Sequence, residues 1–400
     1  MNNTYYFDWA ATAIPERDII RKTIEDYFYT FGNPSSIHDY GLRANSTLNE
    51  SRESFAGLLG VSSDEVTFTS GGTESNNIVI FNLLKKLNIE SILKNHPKII
   101  LSSIEHSSFD EPATTMARFG FTVERISTKK NGMFNIDEFA EKLDERTQLV
   151  SVMYVNNETG AIQPIDEASG IVQDFSRKTG RKIHFHTDAI QALGKIPVEL
   201  KKLPVDSASF SAHKIGGPKG TGVLYLKNST GVSSLFRGGS QEKGKRPGTE
   251  NLPSAVAFER CLEKYAKNMR ENYGIVSKVS NCLIGKIRES GIGIIIPEER
   301  IDNPSLFSPY ILTVSFPPIP SEVLVRALSE RGIMVSAGSA CSSRNPQKRA
   351  RVLRAMGITE EVAGSAVRFS FGPSTSERDI EDTFPIISET VFRLKRVAGR

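Results

Sequence analysis

Residues 207–220 read Ser-Ala-Ser-Phe-Ser-Ala-His-Lys-Ile-Gly-Gly-Pro-Lys-Gly, and this stretch decides the fold class. Its first four residues are typical of a short strand, and the glycines and proline after residue 215 favour a sharp turn. Lys214 lies between the strand and the turn. A single lysine there is usually a solvated surface residue, but burial or cationic neighbours lower the pKa of a lysine and free its amine. Lys214 is therefore a candidate for forming a Schiff base with an aldehyde.

Strand-like and helical patterns alternate along the chain on both sides of this stretch. The strand-like runs lie at residues 65–69, 98–102, 148–154, 182–186 and 222–226. Helical periodicity of apolar residues covers 19–28, 48–59 and 78–87. Such alternation predicts a mostly parallel sheet covered by helices. A long helix over 255–288, followed by strands over 311–316 and 366–371, predicts a second, α+β unit.

The chain of 400 residues is too long for one simple core and fits one large and one smaller domain. The patterns predict a large domain over residues 15–260. The small domain is predicted to combine residues 1–14 with residues 261–400. It would carry Cys341.

The composition is that of an ordinary soluble protein, with 38% hydrophobic residues, 24% charged residues and a net charge of +4. Charges of both signs are interspersed as far as Cys341, which argues against a dedicated nucleic-acid site. The three cysteines are odd in number and widely spaced, so neither a disulfide framework nor a zinc pair is predicted. Neither a leader nor an apolar run of membrane-spanning length is found. We expect a cytoplasmic protein with no membrane partner.

The turn Gly71-Gly72-Thr73-Glu74 follows the strand at 66–69 and opens a helix. Glycines allow close backbone approach, and the free amides of a first helical turn can hold a phosphate or a carboxylate. The same residues also suit a plain helix N-cap, since neither of the common phosphate-binding patterns, GxxxxGK[ST] and GxGxxG, accompanies them. The turn alone does not decide between these interpretations.

His184, His186 and Asp188 alternate along one predicted strand, so that they share one face of the sheet. Two histidines and a carboxylate at this spacing resemble the metal ligands of hydrolases, although no nearby histidine completes the set. In the other interpretation Asp188, at the end of its strand, faces the cleft in which open α/β sheets bind ligands. A carboxylate there keeps a pyridine nitrogen protonated. An aldehyde cofactor with a phosphate would use Asp188, Lys214 and the 71–74 turn together.

Cys341 lies in the run SAGSACSS, residues 336–343, whose small residues give a thiol almost no packing value. Positive charge favours the thiolate, which is the nucleophilic form. The basic residues that follow are Arg344, Lys348, Arg349, Arg351 and Arg354. Considered alone, the run suits a chance surface cysteine equally well.

The order of these motifs resembles the cysteine desulfurases of the NifS/IscS-like branch, within the pyridoxal-phosphate-dependent class V aminotransferase superfamily. The matching motifs are SGGTESNN at 70–77, NNETG at 156–160, SAHK at 211–214 and GSAC at 338–341. The resemblance implies the pyridoxal-phosphate-dependent transferase fold type I, with a mostly parallel seven-stranded sheet in the large α/β domain. It implies conversion of L-cysteine to L-alanine with transfer of sulfur to Cys341 as a persulfide.

The resemblance also implies a role for individual residues. Lys214 binds the cofactor, His106 stacks on its ring, and Cys341 accepts the sulfur; these three are the implied catalytic residues. The implied cofactor-binding residues are Gly72, Thr73, His106, Asn157, Asp188, Gln191, Ser211, His213, Lys214 and Thr249. The implied substrate-binding residues are Asn33, Asn157 and Arg368. No metal is implied.

Two kinds of protein partner follow from the resemblance. One is a second copy of the chain, with Thr249 contributed across the dimer interface. The other is a sulfur acceptor, either an iron-sulfur scaffold or a thiolation enzyme. Residues 344–351 are more basic and one residue longer than in relatives, and the sequence ends at Arg400 without a longer tail. We therefore expect docking of the acceptor to differ.

Three alternatives remain at this point. A selenocysteine lyase or another class V enzyme would keep Lys214 and Asp188 without depending on Cys341. A metal-dependent hydrolase would use His184 and His186 together with Asp188. A non-catalytic scaffold of the sulfur pathway would retain the fold, but every expected catalytic position is filled.

Overall fold

The computed structural model describes residues 4–338 and 350–398. The strands are β1 (Tyr5–Tyr6), β2 (Val66–Thr69), β3 (Lys98–Ser102), β4 (Thr122–Ile126), β5 (Thr147–Ser151), β6 (His184–Asp188), β7 (Ser207–Ser211), β8 (Gly222–Leu226), β9 (Ile294–Ile296), β10 (Ile311–Ser315), β11 (Ile333–Met334) and β12 (Ala366–Ser370). The helices are α1 (Arg17–Tyr27), α2 (Asp39–Leu59), α3 (Gly72–Lys86), α4 (Ile89–Asn95), α5 (Ser107–Arg118), α6 (Ile136–Lys142), α7 (Ile165–Thr179), α8 (Leu252–Lys267), α9 (Met269–Ser290), α10 (Ser321–Ser329), α11 (Arg351–Ala355), α12 (Glu360–Gly364) and α13 (Glu377–Ala398).

Within residues 66–226 seven strands form one sheet, in the order β2-β8-β7-β6-β5-β3-β4. β8 runs antiparallel to β2 and β7, and the remaining neighbours are parallel. The mostly parallel seven-stranded sheet expected from the sequence is therefore confirmed.

Helices cover both faces of this sheet because its strands are apolar on both sides. Ile100 and Leu101 are neighbours on β3, yet their side chains join different apolar clusters. On one face Phe55 of α2 contacts Phe258 of α8, with ring centroids 5.0 Å apart. On the other face Phe109 of α5 is fully buried. This layering is what an alternating strand and helix pattern predicts for a sheet with both faces covered.

A smaller antiparallel sheet has the order β12-β10-β9. Its core contains Val314 and Phe369 from the sheet, Leu283 from α9 and Ile387 from α13. Phe7, from the first residues of the chain, belongs to the same core. The division at residues 260 and 261 stays a prediction, and that position falls inside α8.

The single helix predicted over 255–288 is wrong. The structure has two helices, α8 and α9, which meet at Asn268 with φ −103° and ψ 11°. The apolar periodicity continues through both helices, and asparagine is too weak a helix breaker to mark the junction in the sequence. The strand predicted at 182–186 lies two residues later, at His184–Asp188.

Gly222 is the point at which the ends of three strands meet. In register it pairs with Thr69 of β2 and with Ser211 of β7. A Cβ at position 222 would lie 2.5 Å from the Cα of Gly71 and 2.7 Å from the carbonyl oxygen of Phe210. Both are backbone atoms and cannot rotate away. The missing side chain therefore lets the turn before α3 approach the end of β7, which precedes Lys214.

We expect Gly222→Ala to lower the free energy of unfolding by about 1–3 kcal/mol, because the added methyl group overpacks two backbone segments. Urea denaturation measures this change. Gly170→Ala is the matched control: it lies in α7 with no atom within 4 Å of the added Cβ. In a helix this change is neutral or stabilising by up to about 1 kcal/mol. Equal stability of the two variants would contradict the close-packing argument.

Candidate active site

Lys214 lies in a single 3-10 turn, Ala212–Ile215, directly after β7. Its Nζ donates hydrogen bonds to the carbonyl oxygens of Ala10 at 2.7 Å and Ala11 at 2.9 Å. The backbone N–H of Ala10 in turn donates to Ser370 Oγ at 2.9 Å. The first residues of the chain thus cover the lysine, and their backbone carbonyls accept the hydrogen bonds of its amine.

A cavity of about 250 Å³ lies beside this amine. The predicted site residues that line it are Gly72, Thr73, His106, Asn157, Asp188, Gln191, Ser211, His213, Lys214 and Arg368. The structure therefore brings together residues from six separate parts of the sequence.

Three predicted site residues are not among those that line this cavity. Thr249 is exposed and lines a neighbouring cavity of about 130 Å³. Asn33 is also exposed, and its Oδ1 accepts a hydrogen bond from the Ser35 N–H at 2.9 Å. Cys341 lies outside the described residues.

One end of the cavity is suited to an anion. Gly71 precedes α3 with φ 146°, a conformation that side chains rarely adopt. A Cβ on Gly72 would lie 2.0 Å from Cδ1 of Ile190, so a larger residue at the start of α3 would displace the Ile190 side chain, which lines the cavity. Burial, and then the charge of Lys214, lower the pKa of His213 to about 4. His213 is therefore a neutral hydrogen-bonding group at neutral pH, next to the hydroxyl-bearing Ser211.

Asp188 is the last residue of β6 and is 3% exposed. Its Oδ2 accepts from Asn76 Nδ2 at 3.0 Å, and its Oδ1 accepts from the Ile190 N–H at 3.1 Å. A carboxylate held in this way at the wall of the cavity suits a protonated ring nitrogen.

Arg368, on β12, is 2% exposed. Its Nη2 pairs with Asp8 Oδ1 at 2.9 Å, and its Nη1 donates to the carbonyl oxygen of Asn157 at 2.8 Å. Among the described residues its Nε has no hydrogen-bond partner although it is buried. A buried guanidinium N–H without an acceptor is costly, so this atom suits a ligand carboxylate.

Gln191 is oriented by a residue that the sequence analysis missed. Gln191 Oε1 accepts from Lys195 Nζ at 2.9 Å, which leaves Nε2 to donate to the Ala10 carbonyl oxygen at 3.0 Å. Burial, and then the charge of Lys214, lower the pKa of Lys195 to about 7. The order Gln-x-x-x-Lys is a helical spacing, which is a signal too common to identify Lys195 in advance.

Two further residues were missed: Ser108, which lines the cavity, and Asn76, which donates to Asp188 from behind the cavity wall. Asn76 Nδ2 donates to Ser108 Oγ at 2.8 Å, and Ser108 Oγ lies 2.8 Å from His106 Nδ1. Asn76 follows Gly72 by four residues, so both lie on one face of α3. That spacing within the SGGTESNN motif was the available signal.

The metal-ligand interpretation of His184 and His186 is not supported. Both ring nitrogens of His186 are in hydrogen bonds, Nδ1 with Ser207 Oγ at 2.8 Å and Nε2 with Asn76 Oδ1 at 3.0 Å. His184 Nε2 lies 2.7 Å from the same serine oxygen. Within the part of the chain that the structure describes, no group of three His, Cys, Asp or Glu side chains is arranged to hold a metal ion.

Glu105 holds the turn that leads into His106. Its fully buried carboxylate accepts from Ser102 Oγ at 2.7 Å and from the Met153 N–H at 2.6 Å, with Ser151 Oγ at 3.3 Å. Burial raises the pKa of Glu105 from 4.5 to about 7, against the opposing effect of the Ser102 hydrogen bond. Because the folded-state pKa is the higher one, the proton on Glu105 stabilises the fold at low pH, and this stabilisation is lost as pH rises through about 7.

Between pH 4.5 and 7 the parent protein should therefore lose stability relative to Glu105→Gln, by an amount on the order of 3 kcal/mol. The Oε1 of a glutamine can still accept from Ser102 Oγ and from the Met153 N–H, and the amide does not titrate. Denaturant unfolding of both proteins across this pH range measures the difference. Glu90→Gln, on the exposed side of α4, is the control and should leave the pH profile unchanged. A constant difference between the parent and Glu105→Gln would contradict the argument.

Comparison with known proteins places this site in a family. The model of the class-V aminotransferases matches residues 5–383. The chain belongs to the class-V aminotransferase family. It is 33% identical over 399 residues to the cysteine desulfurase IscS of Dictyoglomus turgidum, covering 100% of this chain and 97% of the relative. It is 39% identical over 401 residues to a NifS/IcsS protein homolog of Lactobacillus delbrueckii subsp. bulgaricus, covering 98% of each.

Solved structures of class-V relatives agree with this assignment. A NifS-like protein superimposes with a TM-score of 0.88 at 34% identity, covering 98% of this chain and 100% of that chain. A NifS-like protein from Rickettsia africae gives a TM-score of 0.83 at 28% identity, covering 98% of this chain and 100% of that chain. The resemblance to NifS/IscS-like cysteine desulfurases is therefore confirmed, as is the fold type. No described helix is long and apolar enough to cross a bilayer.

Proposed function

We propose that this chain converts L-cysteine to L-alanine and transfers the sulfur to Cys341 as a persulfide, using pyridoxal 5'-phosphate. The observation that carries the proposal is the convergence of Lys214, Asp188 and Arg368 on one cavity of about 250 Å³. The amine of Lys214 matches the aldehyde of the cofactor, and the buried carboxylate of Asp188 matches its pyridine nitrogen. The guanidinium of Arg368 matches the carboxylate of the substrate.

The described residues fit this cofactor at each of its polar ends. The glycine-opened start of α3, with Ser211 and His213, suits the phosphate. The carboxylate of Asp188 suits the ring nitrogen, and the NH₂ group of Gln191 suits the phenolic oxygen. When bound, pyridoxal phosphate supplies an aldehyde that condenses with amines and a ring that withdraws electrons from the substrate Cα.

Lys214 has two functions in this proposal. Its amine would hold the aldehyde of the cofactor, and once released it would be the base that takes up the Cα proton of L-cysteine. The carbonyls of Ala10 and Ala11 lie within hydrogen-bond distance of Nζ and keep the amine in position. Asp188 meanwhile keeps the proton on the ring nitrogen, because its carboxylate is buried at the cavity wall.

Substrate orientation is assigned to Arg368 and Asn157. The buried Nε of Arg368 has no partner among the described residues and is available to the substrate carboxylate. The Asp8 and Asn157 contacts fix the plane of the guanidinium. Sulfur transfer then requires a nucleophile: the Cys341 thiolate attacks the substrate sulfur, a sulfur–sulfur bond forms, and the carbon–sulfur bond of the substrate breaks. The electron pair of that bond stays on the substrate Cβ, and protonation there gives the methyl group of alanine. His106 is positioned for proton transfer in this exchange.

Replacement of Cys341 tests the sulfur-transfer step. Cys341→Ala should retain the bound cofactor and its response to added L-cysteine, but form no protein persulfide and no alanine beyond a single turnover. Alanine analysis and mass spectrometry of the labelled thiols measure both products. Cys282→Ala removes a partly buried free thiol and is the matched control, expected to retain activity. Parent-level turnover in Cys341→Ala would favour a lyase and refute the persulfide step.

A second copy of the chain is proposed to complete the site. Large apolar side chains are exposed between residues 24 and 42, which marks an interaction surface. They are Ile24, Phe28, Tyr29, Phe31, Ile37, Tyr40 and Leu42. Asn33, expected to contact the substrate carboxylate, lies in the same segment. Thr249 is exposed outside the main cavity, which supports a role across a dimer interface.

Mixed dimers distinguish a Thr249 that acts on its own subunit from one that acts on the other subunit. We expect Lys214→Ala homodimers to be inactive and Thr249→Ala homodimers to bind the cofactor about ten- to a hundredfold more weakly, since a hydrogen bond to a charged group is worth about 1.5–3 kcal/mol. A mixed dimer pairs one Lys214→Ala subunit with one Thr249→Ala subunit. If Thr249 acts on the other subunit, one of the two sites in this dimer has both residues intact. Its activity should reach about half that of the parent dimer. A mixed dimer no more active than the Thr249→Ala homodimer would place Thr249 in its own subunit.

The acceptor of the persulfide sulfur is proposed to be an iron-sulfur scaffold or a thiolation enzyme. The basic residues that follow Cys341 in the sequence support an acidic docking surface on that partner. Cys261 and Cys282 are free thiols, which supports a reducing compartment and hence the cytoplasm.

A further inference from the structure

A continuous chain of hydrogen bonds runs behind the cavity and ends at Asp188. Its successive members are His184, Ser207, His186, Asn76 and Asp188, joined by contacts of 2.7, 2.8, 3.0 and 3.0 Å. A branch leaves Asn76 for Ser108 and reaches His106 Nδ1, with both contacts at 2.8 Å. Asn76 is fully buried and is the one residue common to both branches within the described chain.

The direction of these hydrogen bonds follows from Asp188. A carboxylate only accepts hydrogen bonds, so the group of Asn76 that faces it must be the NH₂ group. The opposite orientation would bring two acceptor oxygens within 3.0 Å of each other. The second N–H of the same group then donates to Ser108 Oγ. The carbonyl oxygen of Asn76 is left facing His186 Nε2.

This orientation determines the proton position on His186. A carbonyl oxygen only accepts, so His186 Nε2 must carry a proton. Burial lowers the pKa of His186 well below its ordinary value, and the ring is neutral with Nδ1 unprotonated. Ser207 must therefore donate to Nδ1 and accept from His184 Nε2. The charges that face His184 are those of Lys86 and Lys182, and with burial they lower its pKa to about 3.

The other branch determines the proton position on His106. Ser108 Oγ accepts from Asn76, so its own proton is free to point at His106 Nδ1. The Ser108 backbone N–H also lies 3.1 Å from that nitrogen and donates to it. Nδ1 thus accepts twice and carries no proton. Burial lowers the pKa of His106, and among the charges that face it Asp188 opposes this effect while Lys214 and Arg351 add to it.

We propose that Asn76 is a positioning residue: its amide fixes His186 as a neutral ring with the proton on Nε2, and it directs the Ser108 hydroxyl at His106, whose Nδ1 the Ser108 backbone N–H also engages. His106 then begins each reaction cycle as a proton donor at Nε2, with Nδ1 already engaged. The reaction-cycle part rests on the proposed function, because it assigns proton transfer to His106. The proton positions themselves are a property of the protein without cofactor.

Nuclear magnetic resonance on protein labelled with ¹⁵N-histidine tests the proton positions directly, because two-bond couplings distinguish the two neutral forms of the ring. The chain has six histidines, so each ring can be assigned by single replacements. Cofactor-free protein near neutral pH should give the Nε2-protonated form for both His106 and His186. The Nδ1-protonated form at either ring would overturn the proposal, whatever reaction the enzyme catalyses.

Two replacements separate the contributions of Asn76 and Ser108. Asn76→Ala removes the acceptor of His186 and the donor of Ser108 Oγ, so His186 should become a mixture of the two neutral forms. His106 should keep its form, because the Ser108 backbone N–H still donates to its Nδ1. Ser108→Ala removes the hydroxyl alone and should leave both rings in the Nε2-protonated form. Asn82→Ala is the matched control, since Asn82 is a buried asparagine of the same helix that instead accepts from the Ser233 N–H at 3.0 Å.

Kinetics connect the proton positions to turnover. With cofactor bound, Asn76→Ala should lower kcat by about tenfold, because Asp188 and Ser108 each lose a hydrogen-bond donor. The KM for L-cysteine should stay within about twofold, because Asn76 does not contact the residues assigned to the substrate carboxylate. Asn82→Ala should change neither constant. An unchanged kcat in Asn76→Ala, with the form of His186 altered, would refute the positioning role while leaving the proposed function intact.

Discussion

The closure of the N-terminal segment over Lys214 is the constraint on which the rest of the site depends. The carbonyl oxygen of Ala10 accepts from Lys214 Nζ and from Gln191 Nε2, which lie in turns that follow strands of the large sheet. The N–H of Ala10 donates to Ser370, on the small sheet. One residue thus connects the two parts, and the hydrogen bond from Arg368 to the Asn157 carbonyl oxygen adds a second connection. Backbone carbonyls thus make the two contacts that position the lysine amine.

The sequence predicted six of the seven strands of the large sheet because they are short runs of strand-forming residues, and it missed β4, Thr122–Ile126, whose residues TVERI include two charges. The strands at Lys98–Ser102 and Gly222–Leu226 begin and end where expected. The helix over 255–288 failed for a physical reason. Periodicity reports which face of a helix is apolar, and α8 and α9 both present an apolar face through the break at Asn268. A change of direction between two such helices leaves little trace in that pattern.

The sequence predicted those parts of the candidate site in which a side chain carries the chemistry. It did not predict the backbone groups that hold these side chains. Asp188 and Lys214 follow strand ends, where open α/β sheets place their functional groups, and both line the cavity. The carbonyls of Ala10 and Ala11 have no sequence signature, since every residue has a carbonyl. Their partner is more than 200 residues away in the chain. Contacts of that separation depend on the tertiary fold, which a motif does not contain.

Residues on both sides of the segment 339–349, which contains Cys341, are bonded to the walls of the cavity. Ser336 exchanges two backbone hydrogen bonds with Arg368, at 2.8 and 3.2 Å. At the other end, the Arg351 guanidinium donates to the carbonyl oxygens of Ser103 and Glu105, in the turn that leads into His106. The chain therefore leaves the site beside the residue assigned to the substrate carboxylate and returns beside the residue assigned to proton transfer. Covalent connection through these two anchors makes attack by the Cys341 thiol an intramolecular step, for which most of the entropic cost has already been met in folding.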